Sequence, residues 1–251
     1  MKPIYRQHFY ISDLVVDCWG KLKLSALLYL AQEVAGQHCI ALGTDYDTLE
    51  KQRLFWAITR HRVQITRLPR RGETITLETW PMPTTRVAYP RSMVAYDESG
   101  KELFRSISIW VLMNLDSRAM VLPGKSGIYV EGTLLGSELT MPHSLLPKKM
   151  QMHCTREVTY SCLDRNGHMN NTRYLDWVDD LLDSHFHKSH SAKEFIICYR
   201  NEAKEGYQLQ LSWECNAEGF LQVEACRKLP ENPQVKEQIF SAQVLFTEDI
   251  L

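Results

Sequence analysis

The sequence predicts an α+β protein built from two similar units, each an antiparallel sheet wrapped round one long helix. Three observations lead there. A short motif recurs: Asp17-Cys18-Trp19-Gly20-Lys21-Leu22 can be laid on Asp164-Arg165-Asn166-Gly167-His168-Met169, Asp on Asp and Gly on Gly. Apolar residues then recur at spacings of three and four after each copy, first at Leu24, Leu27, Leu28, Ala31, Val34 and Ala35. The second set is Tyr174, Trp177, Val178, Leu181 and Leu182, and both are the stripe of an amphipathic helix. Beyond each helix, polar and apolar residues alternate with the two-residue period of a strand.

The strands follow in order. Residues 74–79 and 208–212 alternate, each preceded by glycine (Gly72, Gly206) and followed by tryptophan (Trp80, Trp213). Further strands fall at 87–96, 103–113, 220–227 and 239–246, with hairpin turns at 97–101 and 216–219. A single helix must bury its apolar stripe, and a sheet round it does so. One unit therefore occupies residues 1–120 and the other 151–251. Residues 121–150, rich in Gly, Pro, Ser and Leu without periodicity, read as a linker.

Composition narrows the function. The 251 residues are 44% hydrophobic and 24% charged, ordinary for a globular chain and far from the composition of disorder. A chain of this size buries enough surface to need no disulfide or structural metal. The formal net charge of −1 gives no general attraction to nucleic acid. No apolar run approaches the roughly 18–20 residues of a membrane span. The first ten residues carry Lys2, Arg6, Gln7 and His8 and lack the apolar core of a signal peptide, so a cytoplasmic protein is expected. Seven scattered cysteines without a C-x-x-C pair fit a reducing compartment. The histidines at 185, 187 and 190 lack an ordered set of ligand partners, and no metal site is expected. There is no P-loop, no G-x-G-x-x-G and no G-x-S-x-G, so neither a nucleotide fold nor a serine α/β-hydrolase is supported.

The two copies differ in chemistry. Where the first has Trp19, Lys21, Lys23 and Leu24, the second has Asn166, His168, Asn170 and Asn171. The polar run lies just before a helix start, where free N–H groups favour oxygen ligands. Helix capping accounts for one or two such residues. It does not account for His168, or for Asp164 and Asn166 further upstream. On an extended backbone residues 164, 166 and 168 share one side, so an acid, an amide and an imidazole converge.

The same run, Leu163-Asp164-Arg165-Asn166-Gly167-His168-Met169-Asn170-Asn171-Thr172-Arg173-Tyr174, resembles the LDMNQHVNNVKY signature of the acyl-acyl-carrier-protein thioesterases. Tyr199-Arg200-Asn201-Glu202-Ala203 is similar to that family's YRREC. In the first half, 54–60 (LFWAITR) resembles its WVVTR stretch and 110–114 (WVLMN) its WVMMN. The resemblance implies a tandem hotdog fold. It also implies hydrolysis of a fatty acyl thioester on acyl carrier protein, without metal or cofactor. Asp164, Asn166, His168 and Glu202 are then the candidate catalytic residues. Glu202 is the first choice of base for the attacking water, although the division of labour with Asp164 and His168 stays open. Asn170 and Asn171, at the helix start, are candidate substrate-binding residues. Position 203, often cysteine in plant members, is alanine, which excludes a thiolate nucleophile there. The acyl chain is expected in the first unit, with Leu28, Leu30, Val34, Trp56, Ile58, Ile107 and Ile109 as candidate walls. Arg67, Arg70, Arg71 and the Lys148-Lys149 pair are candidate contacts for the acidic carrier. An acyl-CoA thioesterase of the same fold and a non-catalytic acyl-binding protein are the alternatives. An internal pseudo-dimer is compatible with a monomer or a homodimer.

Overall fold

The computed structural model describes residues 4–135, 139–229 and 231–249. The chain divides into two compact units, Met1–Pro142 and His143–Leu251. The first contains β1 (Tyr5–Tyr10), α1 (Leu24–Leu42), α2 (Tyr46–Glu50), β2 (Leu54–Ile65), β3 (Thr74–Pro81), β4 (Tyr89–Tyr96), β5 (Glu102–Asn114), β6 (Met120–Val121) and α3 (Pro123–Ser126). Its strands lie in the order β1-β3-β4-β5-β2, antiparallel throughout, with β6 added along β5. Helix α1 buries the stripe that its spacing predicts, from Leu24 to Ala35 and on to His38. It stops at Gly43, whose φ of 69° is the left-handed cap that glycine adopts without steric cost.

Residues beyond β6 stay with this unit. Ile128 and Val130 pack on the cluster of Leu49, Leu54, Tyr89 and Leu112. Arg60 donates to the Pro142 carbonyl, and Arg62 contacts Thr140. Of the segment read as a linker, residues 136–138 lie outside the described residues. Leu145 belongs to the second unit and packs there with Ile196 and Cys198.

The second unit contains β7 (Met152–Glu157), a 3₁₀ turn (Tyr160–Cys162), α4 (Arg173–Asp179), α5 (Ser184–Ser189), β8 (His190–Tyr199), β9 (Gln208–Cys215), β10 (Phe220–Leu229) and β11 (Asn232–Glu248). Its strand order is β8-β11-β10-β9-β7, again antiparallel. Helix α4 buries Tyr174, Leu175, Trp177 and Val178. It is shorter than its spacing suggests, and Leu181 and Leu182 fall in the following turn. Asp179 and Asp180 stand at its C-terminal end, where the helix dipole disfavours negative charge. Asp183 then opens α5 by accepting from the Phe186 N–H at 2.8 Å. Among the described residues no helix is long and apolar enough to cross a membrane.

Buried His61 on β2 makes the fold acid-sensitive. Burial pushes its pKa from 6.5 down to about 3. Below about pH 6.5 the unfolded chain protonates this imidazole and the folded chain does not. Stability therefore falls as pH drops from 6.5 towards 3, by about 1.4 kcal/mol per pH unit for this group. His61→Gln is expected to flatten the acid limb by about that slope, read from urea melts between pH 7 and pH 4.5.

Candidate active site

The loop from Asp164 to His168 is closed by its first residue. Asp164 Oδ1 accepts from the backbone N–H of Asn166 at 2.8 Å and of His168 at 3.3 Å. The Asp164 N–H donates to the His168 carbonyl at 2.7 Å, and the Gly167 N–H to the Asp164 carbonyl at 3.0 Å. Gly167 has φ 75°, left-handed as such a reversal requires.

Among the described residues the same loop occurs three more times. Asp17 Oδ1 accepts from Trp19 and Lys21, both at 2.9 Å. Asp97 Oδ1 accepts from Ser99 and Lys101, both at 2.9 Å. Asn216 Oδ1 accepts from Glu218 at 3.1 Å and Phe220 at 2.9 Å. The fourth residue is always a left-handed glycine: Gly20, Gly100 and Gly219 have φ of 74°, 80° and 77°. Asp97 and Asn216 close hairpin turns between strands. The job needs only a side-chain oxygen, since an amide does it at 216. Asp164 is thus accounted for by the loop that it builds.

What distinguishes the loop at 164–168 is its cargo. The Met169 N–H donates to the Ala203 carbonyl at 2.8 Å, which ties this loop to the one after β8. That tie places His168 Nε2 3.0 Å from Glu202 Oε2. The His168 side chain is 10% exposed and that of Glu202 39%, so a sheltered imidazole meets a carboxylate that reaches water. Ala203 is fully buried. Asn166 Oδ1 is buried without a hydrogen-bond partner, an acceptor open to a donor such as water.

The first unit repeats the scaffold without this chemistry. There the Leu22 N–H donates to the Pro69 carbonyl at 2.9 Å. Lys21 stands where His168 does, Trp19 where Asn166 does, and Leu68 precedes Pro69 as Glu202 precedes Ala203.

The helix-start asparagines hold the frame. Asn170 Oδ1 accepts from both the N–H and the hydroxyl of Thr172 at 2.9 Å. The Asn171 carbonyl accepts from Tyr199 Oη at 2.9 Å. Tyr174 and Tyr199, which the sequence reading names in the helical stripe and the family signatures without a site role, meet edge to face, 5.6 Å apart. Burial raises the pKa of both, helped at Tyr174 by the negative charges of Asp164, Cys162 and Glu202. Tyr174 lies in the buried stripe of α4 and Tyr199 ends β8, so both read as ordinary core. Trp56 and Ile58 are on β2 of the first unit. Trp56 donates to the Thr44 carbonyl at 2.8 Å and meets Tyr89 edge to face. Of the basic residues, Arg67 pairs with Glu73 at 2.8 Å, and Arg71 pairs with Asp13. Among the described residues no group of His, Cys, Asp or Glu has the arrangement of a metal site.

Comparisons with known proteins converge on one family. The family model for the acyl-ACP thioesterase N-terminal domain matches residues 2–122, and that for the C-terminal domain matches 147–245. A palmitoyl-acyl carrier protein thioesterase of Gossypium hirsutum is 26% identical over 82% of this chain and 54% of its own length. Oleoyl-acyl carrier protein thioesterase 2 of Arabidopsis thaliana is 24% identical over 80% and 60% respectively. The chain thus spans little more than half the length of these curated relatives, both chloroplastic. An acyl-ACP thioesterase structure from Bacteroides thetaiotaomicron superposes with TM-score 0.82 at 22% identity, covering 98% of each chain. The 12:0-ACP thioesterase of Umbellularia californica gives 0.82 at 21% identity, covering 99% of each chain. The fold is therefore of the hotdog type expected from the sequence.

Gly167→Ala and Gly20→Ala separate scaffold from cargo. No atom lies within 4 Å of a Cβ at Gly167, and Arg71 Cβ is 3.9 Å from one at Gly20, so the cost is the left-handed backbone. Each is expected to destabilise by about 1–2 kcal/mol in thermal melts. Only Gly167→Ala should perturb the His168 ring resonances in NMR spectra.

Proposed function

Since this chain belongs to the acyl-ACP thioesterase family, we propose that it hydrolyses fatty acyl thioesters of acyl carrier protein to the free acid and the carrier thiol. The observation that carries this is the His168–Glu202 pair, 3.0 Å apart on two loops tied by one backbone hydrogen bond. Hydrolysis of a thioester needs a base for water, a donor for the carbonyl oxygen and a proton for the departing sulfur. Glu202 is the base: its carboxylate is the more exposed partner and reaches water. His168 Nε2–H donates to that carboxylate and fixes its direction. The Asn166 amide polarises the thioester carbonyl. Water adds to the carbonyl carbon as Glu202 takes its proton. The tetrahedral adduct then collapses, the carbon–sulfur bond breaks, and the thiolate recovers the proton from the Glu202–His168 pair. Asp164 takes no proton; it holds the loop. The first unit receives the acyl chain, and carrier selectivity comes from the protein surface rather than from this pair.

Thiol release from acyl-acyl-carrier-protein and from the matching acyl-CoA tests the reading. The carrier-protein thioester is expected to turn over faster. Glu202→Gln should lower kcat by about 10²–10⁴-fold with KM little changed and the circular dichroism intact. No thiol release from either carrier, or full activity in a folded Glu202→Gln, would contradict it.

A further inference from the structure

The inner face of the first unit carries a polar rung where a core is expected. Arg91 on β4 stands directly opposite Ser108 on β5, and Ser108 stands directly opposite His61 on β2. The three residues are buried. They line a small recess of about 10 Å³ under α1, whose Ala31 and Ala35 face it and leave the room. A space of that size admits one oxygen-sized atom.

The recess is electrostatically incomplete. The Arg91 guanidinium donates to His38 Nδ1 at 3.1 Å and Thr79 Oγ1 at 3.3 Å, with Cys39 Sγ at 3.8 Å. They use three of its five N–H donors; burial lowers the guanidinium's pKa and the Cys39 sulfur works against that shift. No carboxylate among the described residues pairs with it. Nothing charged balances it from the histidines either, because burial holds His61, and burial with Arg91 holds His38, well below the pKa of a free imidazole. Across the recess, His61 Nε2 is buried without a partner. A buried guanidinium is costly unless a negative charge accompanies it. A water would fill hydrogen bonds there and leave the charge uncompensated.

We propose that this recess is a binding site for the carboxylate of an aliphatic chain, one oxygen seated between Arg91 and His61 on the Ser108 rung. Two sources share that chemistry: the head of a free fatty acid, and a carboxyl group at the far end of a dicarboxylic acyl chain. The carboxylate rests on the recess itself; its aliphatic chain and the choice between sources rest on the thioesterase reading.

Calorimetric titration with octanoate and with methyl octanoate tests the site on the unaltered protein. Octanoate is expected to bind at least about tenfold tighter, since only it carries the charge. Arg91→Met should remove that preference and Arg91→Lys should restore part of it. Equal affinity for acid and ester, or an unchanged preference in Arg91→Met, would overturn the proposal. Should Arg91→Met fail to fold, the acid-to-ester comparison on the unaltered protein decides alone. Hydrolysis of 7-carboxyheptanoyl-pantetheine against octanoyl-pantetheine then assigns the source. A KM raised about tenfold in Arg91→Met for the first substrate only identifies the far-end carboxyl. Unchanged KM with the binding preference present identifies the free acid. Absence of hydrolysis of both by the unaltered protein defeats the thioesterase reading and leaves the site standing.

Discussion

One side-chain oxygen accepting two backbone N–H groups across a five-residue reversal is the interaction on which the rest depends. It recurs at Asp17, Asp97, Asp164 and Asn216, each time with a left-handed glycine in fourth place. Nothing in it is specific to chemistry. It is a stiff way to turn the chain, and side chains placed on it keep their direction. At 164–168 it carries an amide and an imidazole, and the Met169–Ala203 hydrogen bond brings the carboxylate of Glu202 to the imidazole.

The internal repeat gives a control within the same molecule. Around Asp17 the backbone bonds are the same, and so is the tie to the neighbouring loop, through Leu22 and Pro69. The positions of the polar groups there hold Trp19, Lys21 and Leu68. The scaffold was therefore kept in both units and the polar groups in one. The first unit instead holds its buried polarity elsewhere, on the Arg91–Ser108–His61 rung beneath α1.

Much of the architecture was legible in the sequence because periodicity survives wherever one face of an element is buried. Helix α1 and strands β3, β5, β9 and β10 follow from it. Helix α4 was overread, since apolar spacing continues through Leu182 while Asp179 and Asp180 end the helix. Residues 121–150 look like a linker because they lack periodicity, yet irregular backbone packs as well as regular, as Ile128 and Val130 do on the cluster of Leu49 and Leu112. Asp164, Asn166 and His168 stood out by density of polar groups, whereas Glu202 lies on a distant loop and was found only through the family signature. The anchoring role of Asp164 was on the page in the recurrence of Asp or Asn three residues before Gly. It reads as turn chemistry at 97 and 216, and the neighbouring histidine draws attention from it at 164. His61 escaped because β2 slips register between Ile58 and Arg60, and a bulge there breaks the alternation that assigns faces.

The most direct measurement compares thiol release from an acyl-acyl-carrier-protein by Asp164→Asn and Asp164→Ala. If the carboxylate serves as a backbone acceptor, as the amide of Asn216 does, Asp164→Asn keeps activity within about tenfold of the unaltered protein. Asp164→Ala, which cannot close the loop, then loses about a hundredfold or more while staying folded by circular dichroism. Equal and large losses in both folded variants would contradict this, and would mean that the negative charge of Asp164 itself takes part in the reaction.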